Sequence, residues 1–141
     1  MNSPSFEEIS ENLGFLDDWE DRYRYLIELG QTLSPLTQSE RNSENKVHGC
    51  VAQVWLCVTE TRAGDEITLE FRGDSDAMIV KGLVAVLISL FSGSTPKQIC
   101  EMDAIAILDE LGLREHLTSQ RSNGLVAMVD RIHAEAKSYL G

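Results

Sequence analysis

The chain has 141 residues, 43% hydrophobic and 25% charged, which excludes a disordered, collagen-like or low-complexity polymer and suits one domain spanning residues 1–141. At this length folding buries roughly 68% of the unfolded surface, so a core forms without disulfides or metal. Twelve Lys and Arg against 23 Asp and Glu give a net charge of −11, which argues against nucleic acid and against an anionic membrane surface as partners.

The acid is concentrated at the start: residues 1–44 carry 10 acids and 3 bases, the remainder 13 and 9. Glu7, Glu8 and Glu11 stand where a signal peptide would need a basic start and an apolar run. Phe6, Ile9 and Leu13 predict one amphipathic helix, and Trp19, Tyr23, Leu26, Ile27 and Gly30 a second. Gly14 and then Asp17 or Asp18 mark the stop and the new N-cap; Pro35 ends the second helix near Leu33. Residues 37–46 are polar and read as a linker with room for one helical turn.

A hairpin follows, with strands from Val51 to Glu60 and from Ile67 to Phe71 around a turn that holds Gly64-Asp65. Alternation puts Ala52, Val54, Leu56 and Val58 with Ile67, Leu69 and Phe71 on a dry face, and Trp55, Cys57 and Arg72 on a mixed one. Trp55 is expected under an N-terminal helix. Gly73-Asp74-Ser75-Asp76 is expected to open a helix running to Phe91, capped by Asp74 or Ser75. That helix is apolar nearly all round, so it belongs at the centre of the core against the dry face. Its longest apolar stretch, Gly82 to Phe91, is half of the roughly 20 residues a membrane span needs. Thr95-Pro96 starts a short helix, Asp103 to Leu111 gives another stopped by Gly112, and the last runs from about Ser119 to Tyr139. The class is α+β: a small antiparallel sheet with helices packed on one face.

The sequence has no P-loop, no GxGxxG after a strand, no HExxH and no GxSxG. Cys50, Cys57 and Cys100 are too few and odd in number for a secreted disulfide framework, which points to a reducing, cytoplasmic setting. With His48, His116 and His133 they form no CxxC and no zinc spacing. The three cysteines leave open a metal- or Fe–S-cluster-binding scaffold. Cys50 is the unusual one, because Lys46-Val47-His48-Gly49-Cys50 joins a polar linker to a long strand, and Gly49 permits φ above zero. In a straight strand its parity with Ala52 and Val54 would aim the sulfur at the dry face, shielded at rest. The plain alternative, a buried and inert core thiol in an interaction domain, stays open beside it. Cys57 reads as strand filling, Cys100 as helix packing, His48 as solvated and Lys46 as a solvated flank. Arg121, at the start of the last helix, reads as a salt-bridging surface residue or a contact for a partner. Asp74 and Asp76 read first as a helix start, and only weakly as paired acid–base carboxylates.

Lys46-Val47-His48-Gly49-Cys50-Val51-Ala52-Gln53-Val54-Trp55 resembles the active-cysteine segment of the SufE family, sulfur acceptors of iron–sulfur cluster assembly. Gly73 to Leu83 resembles the family's second signature, and Trp19 to Tyr23, Thr95-Pro96, Gly112-Leu113 and Ser119 to Leu125 occur in the family's order. The resemblance covers about residues 10 to 140. It implies a SufE/IscU-like fold and a sulfurtransferase-like accessory protein rather than a stand-alone enzyme. A SufS-like cysteine desulfurase, which holds pyridoxal phosphate, would form a persulfide on its own cysteine and pass the sulfur to the acceptor, at the position of Cys50. The sulfur would then go to a SufB-like cluster scaffold. The resemblance implies no cofactor in this chain. Gly49, His48, Asp74 and Arg121 are the supporting or partner-facing candidates. A free thiol near pKa 8.5 is only a few per cent thiolate at pH 7, and no basic cluster surrounds Cys50 in sequence, so the partner is expected to supply most of its activation.

Overall fold

The computed structural model describes residues 4–50 and 52–140. Helices α1 (Phe6–Phe15) and α2 (Trp19–Gln31) come first, then strands β1 (Val54–Ala63) and β2 (Glu66–Ser75). Helices α3 (Met78–Phe91), α4 (Pro96–Glu101) and α5 (Ala104–Glu110) follow, then a short 3-10 turn (Arg114–His116) and α6 (Ser119–Ser138). This is the expected α+β arrangement: one antiparallel hairpin with α3 packed on β2, helices α1, α2 and α6 against α3, and α4 and α5 against α6.

Local chemistry explains most boundaries. Ser5 caps α1 by accepting from the Glu8 N–H, and Asp18 caps α2 by accepting from the Glu20 N–H. Thr95 and Gln98 form a capping box around Pro96 at the start of α4, and Asp103 caps α5. α3 carries the core: Val80, Leu83, Val84, Val86, Leu87 and Phe91 are buried, against Leu26 and Leu29 of α2 and Leu56, Leu69 and Phe71 of the hairpin. α2 crosses α3 at Gly82, where any Cβ would collide with the Leu26 carbonyl, so glycine sets the helix spacing.

The dry face is as expected, with Val54 and Leu56 buried opposite Ser75 and Gly73, and Val58 opposite Phe71. The strand boundaries differ. β1 begins at Val54, and Val51 lies outside the described residues. The strands continue to a two-residue turn at Gly64-Asp65, rather than stopping short of a six-residue loop. β2 also runs on through Gly73-Asp74-Ser75, which pair with Leu56, Trp55 and Val54. These residues do not open α3, whose N-cap is Ala77 without a side-chain cap bond. Gly73 is required by close packing: a Cβ there would meet Val84 Cγ1 at 2.7 Å and Leu56 Cδ2 at 2.9 Å.

The linker is a strap rather than a loose connection. The Val47 N–H donates to the Val54 carbonyl at 2.8 Å and the Leu56 N–H to the Asn45 carbonyl at 2.9 Å, so residues 45–47 pair with the outer edge of β1. The strap also reaches Trp55: its Arg41 guanidinium stands 5.8 Å from the ring centroid.

Candidate functional site

The strap delivers the chain to Cys50 along α6. Arg131 on α6 donates from Nη1 to the Lys46 carbonyl at 2.9 Å and from Nη2 to the Glu44 carbonyl at 2.7 Å. Gly49 then turns the backbone with φ +94°, a conformation that a side chain would strain. Cys50 follows before β1 begins, so strand parity does not set its direction. Its sulfur is turned toward α6 instead, where Sγ donates to the Gly124 carbonyl at 3.5 Å. The thiol is half-buried, and burial pushes it above its ordinary value, so it is held protonated at neutral pH. This agrees with the expectation of a thiol shielded at rest, with a helix in place of the dry sheet face as the shield.

Cys50 lines a cavity of about 390 Å³ between the start of α3 and the start of α6. Ala52, Ala77, Val80 and Met128 give it an apolar wall, while Asp76, Thr118, Gln120 and Arg121 supply its polar groups. Asp76 ties the segment after Cys50 to the start of α3. Its Oδ1 accepts from the Gln53 N–H at 3.0 Å, and its own N–H donates to the Gln53 carbonyl at 3.2 Å. Arg121 lines the cavity, and its guanidinium makes no ion pair among the described residues, contrary to the salt-bridge reading. His48 is exposed, as expected, and is not part of that wall.

Asp74 sits elsewhere. It is 3% exposed, which removes it from any partner-facing surface, and its carboxylate takes Arg41 at 2.5 Å and Lys81 at 3.3 Å. Burial alone would raise this carboxyl, but Arg41, the Ser75 N–H and Lys81 together hold it below its ordinary value. Glu40 of the strap is paired with Arg72 of β2 in the same way, and its carboxyl falls to about 2. These pairs fasten the strap over the mixed face of the hairpin.

The three cysteines stand in separate surroundings. Cys57 lies opposite Arg72 on β1, where burial and the charge of Glu40 push its thiol up. Cys100 on α4 packs against the far half of α6, 4.0 Å from the His133 carbonyl. Among the described residues, no three His, Cys, Asp or Glu side chains come together as a metal set, and no helix is long and apolar enough to cross a membrane. Sequence reading gives no individual role to Gln53, Gln120, Gly124 or Arg131, the first three standing only inside the quoted family segments. Only the helical spacing of 124, 128 and 131 signalled that the last two share a face with the cavity-lining Met128.

Comparison with known proteins agrees with the resemblance. Residues 7–136 match the family model described as SufE, Fe-S metabolism associated domain. The chain is 48% identical over 136 residues to an uncharacterized SufE-like protein of Rhizobium meliloti, covering 96% of this chain and 97% of the relative. It is 50% identical over 133 residues to an uncharacterized SufE-like protein of Rhizobium etli, covering 94% and 90%. The solution structure of a hypothetical protein from Thermus thermophilus superposes with a TM-score of 0.70 at 25% identity, covering 99% of this chain and 98% of that one.

Proposed function

The chain belongs to the SufE family, a family of Fe–S metabolism, and on that premise we propose that Cys50 is a sulfur acceptor and carrier. A SufS-like cysteine desulfurase presents a persulfide. The Cys50 thiolate attacks its outer sulfur, a new S–S bond forms to Cys50, and the bond to the desulfurase cysteine breaks with that cysteine leaving as thiolate. The sulfur's oxidation state does not change, so no outside oxidant or reductant enters the step. The carrier then yields the sulfur to a SufB-like scaffold by the same exchange. Residues 1–141 act here as one SufE-like domain, in a reducing, cytoplasmic setting where a lone thiol stays free.

The observation that carries this reading is the half-buried Cys50 thiol lining a cavity of about 390 Å³, in the segment that resembles the family's active-cysteine motif. A walled cavity protects a persulfide from small reductants and oxidants between transfers. It also leaves the thiol poorly ionised, so activation comes with the partner. Stimulation of alanine release from cysteine by a SufS-like desulfurase tests the proposal. The chain is expected to raise turnover and Cys50→Ser to abolish the rise; equal stimulation by Cys50→Ser would refute it.

A further inference from the structure

Residues 44–50 climb one face of α6 in order. Glu44 and Lys46 are held at Arg131 by 2.7 and 2.9 Å hydrogen bonds. A Cβ built at Gly49 would stand 3.2 Å from Ala127 Cβ, and Cys50 Sγ reaches the Gly124 carbonyl at 3.5 Å. Positions 131, 127 and 124 are spaced four and three apart, which is one stripe of a helix, about two turns long. The strap is gripped from both edges. Asn45 and Val47 bond to β1, and backbone alternation turns the Lys46 carbonyl the other way, to the guanidinium. Arg131 Nε also donates to Glu135 Oε2 at 2.9 Å, which fixes the direction of the fork.

The two ends of this seat are unequal. Charge-assisted donation from a guanidinium to two carbonyls is strong, whereas a thiol is a weak donor. Asp76 holds Gln53 on the far side of Cys50. We propose that Arg131 is a positioning residue for Cys50: it clamps the strap to α6, so that presentation of the thiol turns the chain about Gly49 and leaves residues 44–47 in place. The weak bond to Gly124 breaks and the strong ones at Arg131 remain. The consequence for sulfur transfer rests on the reading of Cys50 as acceptor, but the clamp itself does not.

Alkylation of the full-length chain by iodoacetamide, followed at each cysteine by peptide mass mapping, tests the clamp. In Arg131→Ala the strap is free to leave α6 together with the thiol, which adds a second, wider opening to the one about Gly49, so labelling of Cys50 is expected to accelerate about tenfold or more. Cys100, packed on the same helix, is expected to keep its rate, and Arg131→Lys, which retains a charged donor, to restore part of the protection. An unchanged Cys50 rate in Arg131→Ala would overturn the proposal. So would an equal acceleration at Cys100, because the variant would then have loosened α6 as a whole. Loading of the unsubstituted chain with sulfur by a desulfurase, run in parallel, separates the two ideas. Failure to load refutes the acceptor reading and leaves the labelling ratio to judge the clamp; normal loading with an unchanged ratio removes the clamp alone.

Discussion

A single residue, Ser75, separates Asp74 from Asp76, yet the surroundings they belong to are opposites. Around Asp74 charge is paired: both carboxylate oxygens are taken by cations, from the strap and from α3. Around the Cys50 cavity, which Asp76 lines, the thiol has one weak hydrogen bond, and the lining Arg121 has no ion pair among the described residues. The first arrangement fixes backbone; the second leaves a nucleophile covered but lightly held. A carrier needs both, because a thiol that must move is useful only if the frame beside it does not.

The contrast breaks most directly at Asp74. Asp74→Asn removes the shared partner of Arg41 and Lys81, and a buried pair broken on one side costs several kcal/mol. Arg41 and Lys81 remain 42% and 34% exposed and can regain water, so the expected loss is smaller, about 2 kcal/mol in urea unfolding. A loss below about 0.5 kcal/mol, the range of ordinary surface substitutions, would show that the cluster does not fix the strap. Acid should undo the same frame. Both carboxyls titrate lower in the fold than in the unfolded chain, so the stability they give is present above their ordinary values of 3.8 and 4.5. It is lost as pH falls toward the folded values, about 2 for Glu40. Unfolding free energy measured from pH 5 to pH 2 should fall, and fall less steeply in Asp74→Asn; parallel slopes would contradict the assignment.

On the lightly held side the effects are kinetic. Burial raises the Cys50 thiol above its ordinary value, so its alkylation should have a higher pH midpoint in the isolated chain than a free thiol has, and a lower one with a desulfurase added. A midpoint unchanged by the partner would contradict activation by the partner. Arg121→Ala should do least to the fold, under about 0.5 kcal/mol, because no ion pair is lost, while slowing partner-dependent turnover. A large loss of stability with turnover intact would reverse its assignment to the cavity.

The same contrast divides what was legible in sequence. Caps, the apolar α3, the dry hairpin face and the positive φ at Gly49 follow from neighbours within a few residues, and each could be read there. Asp74 was misread because Gly-Asp-Ser before an apolar run is the local signature of a helix start. What keeps it in β2 is a cation 33 residues away on the strap. Trp55 likewise waits for Arg41, and Arg131 for carbonyls 85 and 87 residues away, which carry no side-chain signal at all. The cysteine was legible through its motif, but its shield was not. Strand parity fails where β1 begins only at Val54, and the covering surface comes from a helix at the other end of the chain.

The central claim is that Cys50 takes on one sulfur atom. Intact-mass measurement after mixing the chain with a SufS-like desulfurase and free cysteine tests it most directly. A gain of about 32 Da, removed by dithiothreitol and absent in Cys50→Ser, is the predicted result. The same gain in Cys50→Ser, or none in the unsubstituted chain, would contradict it.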